Sequence, residues 1–419
     1  MARVLVVSYY HPPFPGVGGH RWDALAKYLR RAGHDVTVLA TSLHGTLPPE
    51  AEAGVIRAPD LAQSRLLRAL LRRPPLEPTG AGGAPAPDKP PPRLLTRTLV
   101  PDPHVVGWAP SALRRALRHL RERGADVLVT SSPPLSVHVL GPVLQRRGVR
   151  WVADFRDGWS FEPLEPPFPT APQRRLDAWL ERRLVRRADA VLAATLPIAE
   201  DFRARLGVGA VHVPNAWDPE LDVQVPDVAR PVGDGEVALV HTGKLSGARG
   251  RDPAPLLDAI RLLRRTEPEL GGRLRLVLAG RIDTEEERLL ASIADEGFVV
   301  HVGALPRLEA VALQRRADGL VLMTSRDRGE ATGKLFEYLA AGRPIVALAE
   351  GNEAARIVAE TGAGVTVPPD DPEAIAGALR ELATGELEAR LRPRGLAAYR
   401  YPAPAERVAE VLDRIGVGR

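Results

Sequence analysis

The sequence predicts an α/β fold with two doubly wound parallel sheets in tandem, for three reasons. Short, continuous apolar runs such as residues 3–8 (RVLVVS) are typical of strands that are buried on both faces, as in parallel sheets. Segments with apolar residues at helical spacing alternate with these runs in both halves of the chain. Between the halves, residues 216–235 lack periodicity and are rich in Pro, Asp and Gly, which indicates a domain boundary.

The first half begins as a strand–loop–helix–strand unit. Residues 3–8 predict the first strand, 20–31 predict a helix that stops at Gly33, and 36–41 (VTVLAT) predict the second strand. Further helices are predicted at 110–123, 136–147, 171–187 and 197–206, and strands at 126–132, 149–155, 190–195 and 211–215. Residues 74–92 consist largely of Pro and Gly, which predicts a mobile surface loop.

The second half alternates more regularly from residue 237 onward. Its predicted strands are VALVHTG, RLRLVLAG, FVVHVGAL, GLVLMTS, PIVALAE and VTVPP, and its helices lie at 253–266, 284–296, 307–317, 332–341, 352–361 and 372–384. A last helix at 402–415 has no place in this sheet. The predicted division is an N-terminal domain at 1–219, a linker at 220–236, a C-terminal domain at 237–395, and a terminal helical segment at 396–419 that can pack back on the N-terminal domain.

Composition excludes several classes of protein. The 419 residues include no cysteine, which excludes a disulfide scaffold, a cysteine nucleophile and thiolate metal sites. No apolar stretch approaches the roughly 20 residues of a membrane span, and none resembles a signal peptide. We therefore expect a cytoplasmic protein, either soluble or peripheral at the inner face of the membrane. Residues 1–230 carry 31 basic and 23 acidic side chains, so either this half meets an anionic partner or its composition is ordinary.

Two segments of the first half have the composition of binding sites. Gly18 and Gly19 precede the first helix and let a phosphate or sugar approach backbone N–H groups, although a plain tight turn also fits. Residues 154–159 (DFRDGW) follow a strand and combine two carboxylates, a guanidinium and an indole, which suits a sugar; a structural Arg–Asp pair is the alternative. The two acids are three residues apart, so they form no D-x-D metal motif, and no metal site is predicted.

Two segments of the second half suit a nucleoside diphosphate. Lys244 ends a strand and Arg251 precedes a helix, which places cations at the edge of a sheet; solvated surface charge is the alternative. Gly333 and Lys334 begin a short helix whose terminal amides can hold phosphate. Glu337 lies one turn on, where it either grips a ribose diol or faces solvent.

These motifs resemble the family-4 type of glycosyltransferases with the GT-B architecture. The resemblance rests on GKLFEYLAAGRPIVAL, HTGKLSGARGRDP, SSPP and VADFRDGW, the last two similar to the acceptor domain of a bacterial subgroup. It implies two Rossmann-like domains that face each other across a cleft, and a retaining, metal-independent transfer of sugar from a nucleoside diphosphate sugar, with no further cofactor. The acceptor would be a small molecule, a glycan or a lipid-linked molecule, in the synthesis of surface glycans, glycolipids or glycosylated metabolites.

The resemblance also implies roles for individual residues. The implied donor-binding residues are Gly18, Gly19, Lys244, Arg251, Glu330, Gly333, Lys334 and Glu337; the catalytic ones are Asp157, Lys244 and Arg251; and the acceptor-side ones are Asp154, Arg156 and Trp159. Among them, Glu337 would bind the ribose and Asp157 would face the reacting sugar. The family's two glutamates have seven residues between them, but counting back from Glu337 on that spacing gives Gly329, and Glu330 comes one residue late. Either a local shift brings in Glu330, or the role of the first glutamate is absent.

The sequence is also compatible with two other functions and one further partner. A nucleotide-sugar epimerase of the same fold and a non-catalytic, two-lobed binding protein are the rival functions, and no nucleic-acid partner is expected. Residues 61–73 combine Arg65, Arg68 and Arg72 with leucines, which predicts either peripheral contact with an anionic membrane or a helix packed on its own domain.

Overall fold

The computed structural model describes residues 1–14, 17–61, 99–163, 166–246 and 251–415. The chain divides into two compact units. Of the described residues, unit 1 holds those up to Asn215 and those from Tyr401 onward, and unit 2 holds Ala216–Arg400. The predicted loop at 74–92, and all of the 61–73 segment except Leu61, lie outside the described residues.

Unit 1 is built on a seven-stranded parallel sheet in the order β3-β2-β1-β4-β5-β6-β7. Its strands are β1 Arg3–Ser8, β2 Asp35–Thr41, β3 Val55–Ala58, β4 Val127–Ser132, β5 Arg150–Phe155, β6 Ala190–Ala193 and β7 Ala210–His212. Its helices before the chain leaves for unit 2 are α1 His20–Arg31, α2 His104–Gly107, α3 Ala109–Glu122, α4 Leu140–Gln145, α5 Ala171–Val185 and α6 Leu196–Leu206. The strand order reverses between β1 and β4, and ligands of such sheets bind at the carboxyl ends beside the reversal.

Unit 2 repeats this plan with a six-stranded parallel sheet in the order β10-β9-β8-β11-β12-β13. The strands are β8 Val237–Thr242, β9 Leu274–Ala279, β10 Val299–Gly303, β11 Gly319–Met323, β12 Ile345–Leu348 and β13 Gly364–Val367. The helices are α7 Ala254–Thr266, α8 Pro268–Arg273, α9 Thr284–Ser292, α10 Arg307–Arg315, α11 Gly333–Ala341, α12 Glu353–Thr361, α13 Pro372–Thr384 and α14 Glu386–Arg390. The order reverses between β8 and β11, so the segments that follow these two strands share one edge.

Apolar side chains are buried on both faces of each sheet, which is why the strands are continuously apolar in sequence. In unit 2, Leu239 packs into the core on one face and its neighbour Val240 into the core on the other. The prediction of two doubly wound sheets is confirmed. Strand β3 was not predicted, because three of its four residues are only half buried at the edge of the sheet and the strand shows no clear pattern.

The last helix, α15 Ala403–Arg414, belongs to unit 1 and contacts α1. The ring of Tyr401, just before it, stacks on Tyr28 of α1 with 5.2 Å between ring centres. Every helix in the described ranges is too short or too polar to cross a membrane.

Candidate functional site

The strongest site candidate lies at the carboxyl end of the unit 2 sheet, where β8 and β11 are neighbours. After β8, the chain turns at Gly243, whose φ of +89° is one that side chains rarely adopt. A Cβ at this position would also lie 2.6 Å from Cε of Lys334, near the start of α11. Glycine at position 243 therefore permits this turn and leaves room beside it for the side chain of Lys334 from the first turn of α11.

Lys334 is held between these two elements. Its Nζ lies 3.4 Å from the carbonyl oxygen of Lys244 and 3.4 Å from Nε2 of His241. Burial, followed by the nearby charge of Arg251, lowers the pKa of Lys334 to about 8. Burial, followed by the charge of Lys334, lowers the pKa of His241 to about 3, so this ring is neutral and leaves the positive charge to Lys334.

Arg251 brings a second cation to the same place. Its side chain is mostly buried, and its Nε has no hydrogen-bond partner among the described residues. The facing carboxylate is that of Glu330, with Oε1 at 3.9 Å from the Arg251 Nε. The other oxygen of Glu330, Oε2, accepts hydrogen bonds from the backbone N–H (2.6 Å) and the hydroxyl of Ser325.

The first turn of α11 adds unsatisfied donors. Thr332 occupies the N-cap position, but its side chain makes no capping hydrogen bond, and its Oγ1 is buried without a partner among the described residues. Helix N-termini carry partial positive charge and exposed N–H groups that attract anions. Together with Lys334 and Arg251, this uncapped turn forms what we call the anion pocket. Buried donors normally find partners, so the arrangement is suited to hold an anion.

Glu337 lies one turn further along α11. Its Oε1 accepts a hydrogen bond from Nε of Arg307 at 2.9 Å, and the Arg307 guanidinium lies over the ring of Trp217, 5.5 Å from its centre. The carboxylate is thus fixed in orientation beside the anion pocket. A diol that binds it must share it with Arg307.

Lys244 occupies a different position from the one its predicted role requires. Its side chain is 59% exposed, and its Nζ lies 3.5 Å from Oδ2 of Asp283. Only its carbonyl oxygen contacts Lys334 in the anion pocket. The structure brings Arg251, Glu330, Gly333 and Lys334 together, and leaves the Lys244 ammonium at the start of α9.

A further residue that the sequence interpretation missed holds the turn after β8 in place. Glu286 is buried and accepts hydrogen bonds from the backbone N–H (2.6 Å) and the hydroxyl (2.8 Å) of Ser246. It also closes a capping box with Asp283 at the start of α9. The D-x-x-E spacing was the available signal, but it predicts only the helix start and not the contact with a loop 40 residues earlier.

In unit 1, the structure corrects the assignment of Asp154 to the acceptor side. The carboxylate, in β5, is fully buried. It accepts hydrogen bonds from Arg21 (2.9 and 3.2 Å), from Nε1 of Trp22 (2.8 Å) and from Oγ of Ser131 (2.7 Å). Burial alone would raise its pKa, but the Arg21 charge and these hydrogen bonds outweigh burial and keep the pKa below its usual value. Asp154 ties β5 to α1 and β4 and cannot touch an acceptor.

The assignment of Trp159 to the acceptor side is also corrected, because its side chain is buried. Its indole is buried among core side chains, and its Nε1 donates to Asp177 at 3.0 Å, so no ring face is open to a sugar. Arg156 and Asp157 form an ion pair at 3.3 Å and are partly exposed at the edge of the sheet. A Cβ at Gly18 would lie 2.1 Å from Nη1 of Arg156, so the glycine turn before α1 and the loop after β5 meet.

The remaining glycine assignment is compatible with a close backbone approach. Gly19 is buried, and a Cβ there would lie 3.2 Å from the carbonyl oxygen of Phe14. Among the described residues, no three His, Asp or Glu side chains converge in a way that would hold a metal ion.

Comparisons with known proteins match both units. A model of the glycosyl transferase 4-like domain matches residues 18–216, and a model of the glycosyl transferases of group 1 matches residues 236–385. Glycogen synthase of Mycobacterium tuberculosis is 23% identical over 418 residues, which cover 94% of this chain and 88% of that protein.

Solved structures of the same fold cover almost the whole chain. Sucrose-phosphate synthase from Thermosynechococcus elongatus superposes with a TM-score of 0.63 at 15% identity, over 99% of each chain. A putative UDP-N-acetylglucosamine 2-epimerase from Listeria monocytogenes superposes with a TM-score of 0.56 at 12% identity, over 99% of this chain and 96% of that one. Identities this low show the shared fold alone.

Proposed function

Because the chain belongs to the family-4-like glycosyltransferases of the GT-B fold, we propose that it moves a sugar from a nucleoside diphosphate sugar to an acceptor hydroxyl, with retention and without a metal ion. One observation carries the proposal, namely the anion pocket of unit 2. Two partly buried cations, Lys334 and Arg251, lie at an uncapped helix start, and the Arg251 Nε has no hydrogen-bond partner within the described part of the chain. A diphosphate supplies the negative charge and the acceptor oxygens that this pocket lacks.

In the proposed reaction, the acceptor oxygen forms a bond to the anomeric carbon on the face from which the diphosphate leaves. The bond from the anomeric carbon to the phosphate oxygen breaks, and the acceptor proton passes to that oxygen. Lys334, Arg251 and the α11 N-terminus offset the charge that develops on the leaving group. Glu337 binds the ribose, and Asp157, Gly18 and Gly19 act on the side of the reacting sugar.

Glu330 and Lys244 support this scheme in different ways from the roles the resemblance implies. The buried Glu330 lies beside Arg251 and accepts two hydrogen bonds from Ser325. We infer that it positions Arg251 rather than contacting the donor sugar. Lys244, exposed beside Asp283, is a secondary contact to the donor at most.

The reaction type is tested by incubating the protein with a panel of nucleotide sugars and candidate acceptors in the presence of a chelator. We expect nucleoside diphosphate release that depends on acceptor, and NMR of the product should show the anomeric configuration of the donor. Free epimerised nucleotide sugar without transfer would support the epimerase instead. Tight donor binding with neither product would support a binding protein.

The proposed acceptor is a glycan, a lipid-linked molecule or a small metabolite. Its hydroxyl would bind near the unit 1 residues Arg156 and Asp157. The proposed setting is the cytoplasm, and the anionic-membrane contact predicted at 61–73 falls almost entirely on residues that the structure does not describe.

The lowered pKa of Lys334 predicts how donor binding depends on pH. Below about 8, Lys334 is protonated in the free protein and attracts the diphosphate; above it, the charge is lost. The Kd for UDP, GDP or ADP, whichever binds, should therefore change little between about pH 7, where the terminal phosphate is ionised, and this pH, and should rise about tenfold per pH unit above it. Calorimetry above pH 8 in two buffers of different ionisation enthalpy should show proton uptake. Lys334→Arg should bind without uptake, and persistent uptake in that variant would assign the proton elsewhere.

Glu337→Ala is expected to raise the Kd of the nucleoside diphosphate about 10- to 150-fold, because a charge-assisted hydrogen bond is worth about 1.5–3 kcal/mol. The contact is to the ribose, so a 2′-deoxynucleoside diphosphate should bind the native protein weakly and should bind Glu337→Ala no worse than the ribose form does. The exposed Glu287 of α9 provides a matched control in Glu287→Ala. A 2′-deoxy penalty that persists in Glu337→Ala would place the ribose elsewhere.

A further inference from the structure

The outward face of α5 in unit 1 combines exposed apolar and cationic side chains. Leu176 is 50% exposed and Trp179 is 54% exposed. At about 100° per residue, Arg175, Arg182, Arg183 and Arg186 lie within about 60° of Trp179 around the helix axis. All four arginines are exposed.

The carboxylates of α5 point away from this face. Asp177 accepts a hydrogen bond from Trp159, and Glu181 is buried, where it accepts hydrogen bonds from Ser160 (2.6 Å) and Arg205 (2.7 Å). The inward side of the helix also supplies Leu184 and Val185 to the unit 1 core. Both acidic side chains of α5 are thus hydrogen-bonded to groups on the inward side of the helix, and neither neutralises the outward arginines.

Trp179 differs from the other tryptophans of the chain. Trp22, Trp108, Trp151, Trp159 and Trp217 are all fully buried. Trp179 instead presents its ring at the surface, with the Arg183 guanidinium 5.7 Å from the ring centre. Tryptophan is enriched at the boundary between lipid and water, where its apolar body and polar N–H both find suitable surroundings.

The cationic surface continues beyond α5. Nε of Arg187 donates to Gln145 at the end of α4 at 3.0 Å, and that end of α4 presents the exposed Val143, Arg146 and Arg147. A shallow depression of about 290 Å³ lies at the end of α5 and is lined by Trp179, Arg182, Arg183, Arg186 and Arg187. Its size suits a lipid phosphate headgroup, whose charge is opposite to that of its lining.

We propose that this face, defined by Leu176, Trp179 and the surrounding arginines, docks unit 1 on the surface of an anionic lipid bilayer. The arginines meet the headgroups, and Trp179 and Leu176 enter the boundary between headgroups and acyl chains. Exposed apolar side chains at the centre of the basic patch favour a bilayer over a nucleic acid, whose backbone would use the charges alone. The proposal does not depend on the donor chemistry, since the patch and the anion pocket share no residue.

Tryptophan fluorescence tests the proposal with the full chain. Because five tryptophans are buried, a blue shift on adding vesicles of phosphatidylcholine and phosphatidylglycerol should come from Trp179, and brominated lipids should quench it. Phosphatidylcholine vesicles alone should give little shift. Trp179→Phe should lose the shift while still sedimenting with the anionic vesicles, because its arginines remain. A shift that persists in Trp179→Phe would overturn the proposed face.

Charge reversal separates this face from the general basic charge of the unit. Arg182→Glu with Arg183→Glu should lower the partition coefficient on anionic vesicles about twentyfold or more, since each basic residue near such a surface contributes about fivefold. Arg114→Glu with Arg115→Glu, on the exposed side of α3, is the matched control and should change it far less. The proposal would be overturned if both double variants lost vesicle binding equally, or if the native protein did not bind anionic vesicles at low salt. It would also be overturned by a fluorescence shift that arises from self-association without vesicles, or by preferential binding of duplex RNA.

Discussion

Lys334→Met should lower kcat by about two to three orders of magnitude, the loss seen when a preorganised donor to a developing negative charge is removed. In the proposed reaction, negative charge grows on the diphosphate as the sugar leaves, and Lys334 is the partly buried cation at the helix start that faces it. Methionine retains the apolar stem and removes only the ammonium. The effect should appear in initial rates at saturating donor, with a smaller rise in the Kd of the donor.

Arg251→Ala provides the companion measurement, because its charge helps to lower the pKa of Lys334. Removing the Arg251 charge should move the pH at which donor binding weakens to higher values in addition to reducing affinity. Arg265→Ala, an exposed cation at the far end of α7, is the control and should leave both quantities unchanged. If Lys334→Met turned over at the native rate, the anion pocket would not be the leaving-group site.

Asp154→Ala should destabilise unit 1 by about 3–5 kcal/mol, because it leaves the buried Arg21 charge without its partner. The indole N–H of Trp22 and the hydroxyl of Ser131 lose their acceptor as well. For a unit of this size the loss corresponds to a fall in Tm of about 10 °C, measurable by calorimetry as a shift of one of the two unfolding transitions. Asp126→Ala removes a largely exposed ion pair with Arg3 and should lower the Tm far less.

The pH dependence of this effect has a definite sign. The folded-state pKa of Asp154 lies below its usual value, so the stabilisation is present above about 3.9 and is lost as the pH falls through the lower, folded value. The difference in stability between Asp154→Ala and the native chain should therefore shrink in strong acid. A variant that kept its stability but lost acceptor turnover would restore the acceptor-side assignment of Asp154.

The fold could be predicted because parallel strands buried on both faces are recorded in the sequence as continuous apolar runs. Arg251, Gly333 and Lys334 could be found for a related reason, since they follow strands that a doubly wound sheet places at one edge. The pattern of apolar runs does not indicate the direction in which each side chain points. Asp154 still belongs to β5 and points into the core, whereas Asp157, three residues later, lies in the exposed loop.

The two lysines of the second half illustrate the same limit. Both Lys244 and Lys334 follow glycines at the same edge of the sheet. The sequence motifs assign both to the donor, but give the main contact with the diphosphate to Lys244. After the turn at Gly243, which has a positive φ, the Lys244 side chain pairs with Asp283, and the space beside this glycine is occupied by the end of the Lys334 side chain. Backbone dihedral angles and contacts across 90 residues decided the matter, and neither can be read from a local pattern.

The return of the chain to unit 1 at Tyr401 affects the order in which the protein folds during synthesis. Unit 2 is complete in sequence once Arg400 has left the ribosome, whereas unit 1, which was begun first, still lacks α15 and the Tyr401 ring that stacks on Tyr28. Unit 1 therefore cannot complete its fold, and part of the α1 surface stays uncovered, while the whole of unit 2 is translated. The half of the protein that is made first is thus finished last, and a deletion or bulky fusion at the carboxyl terminus acts on the amino-terminal half.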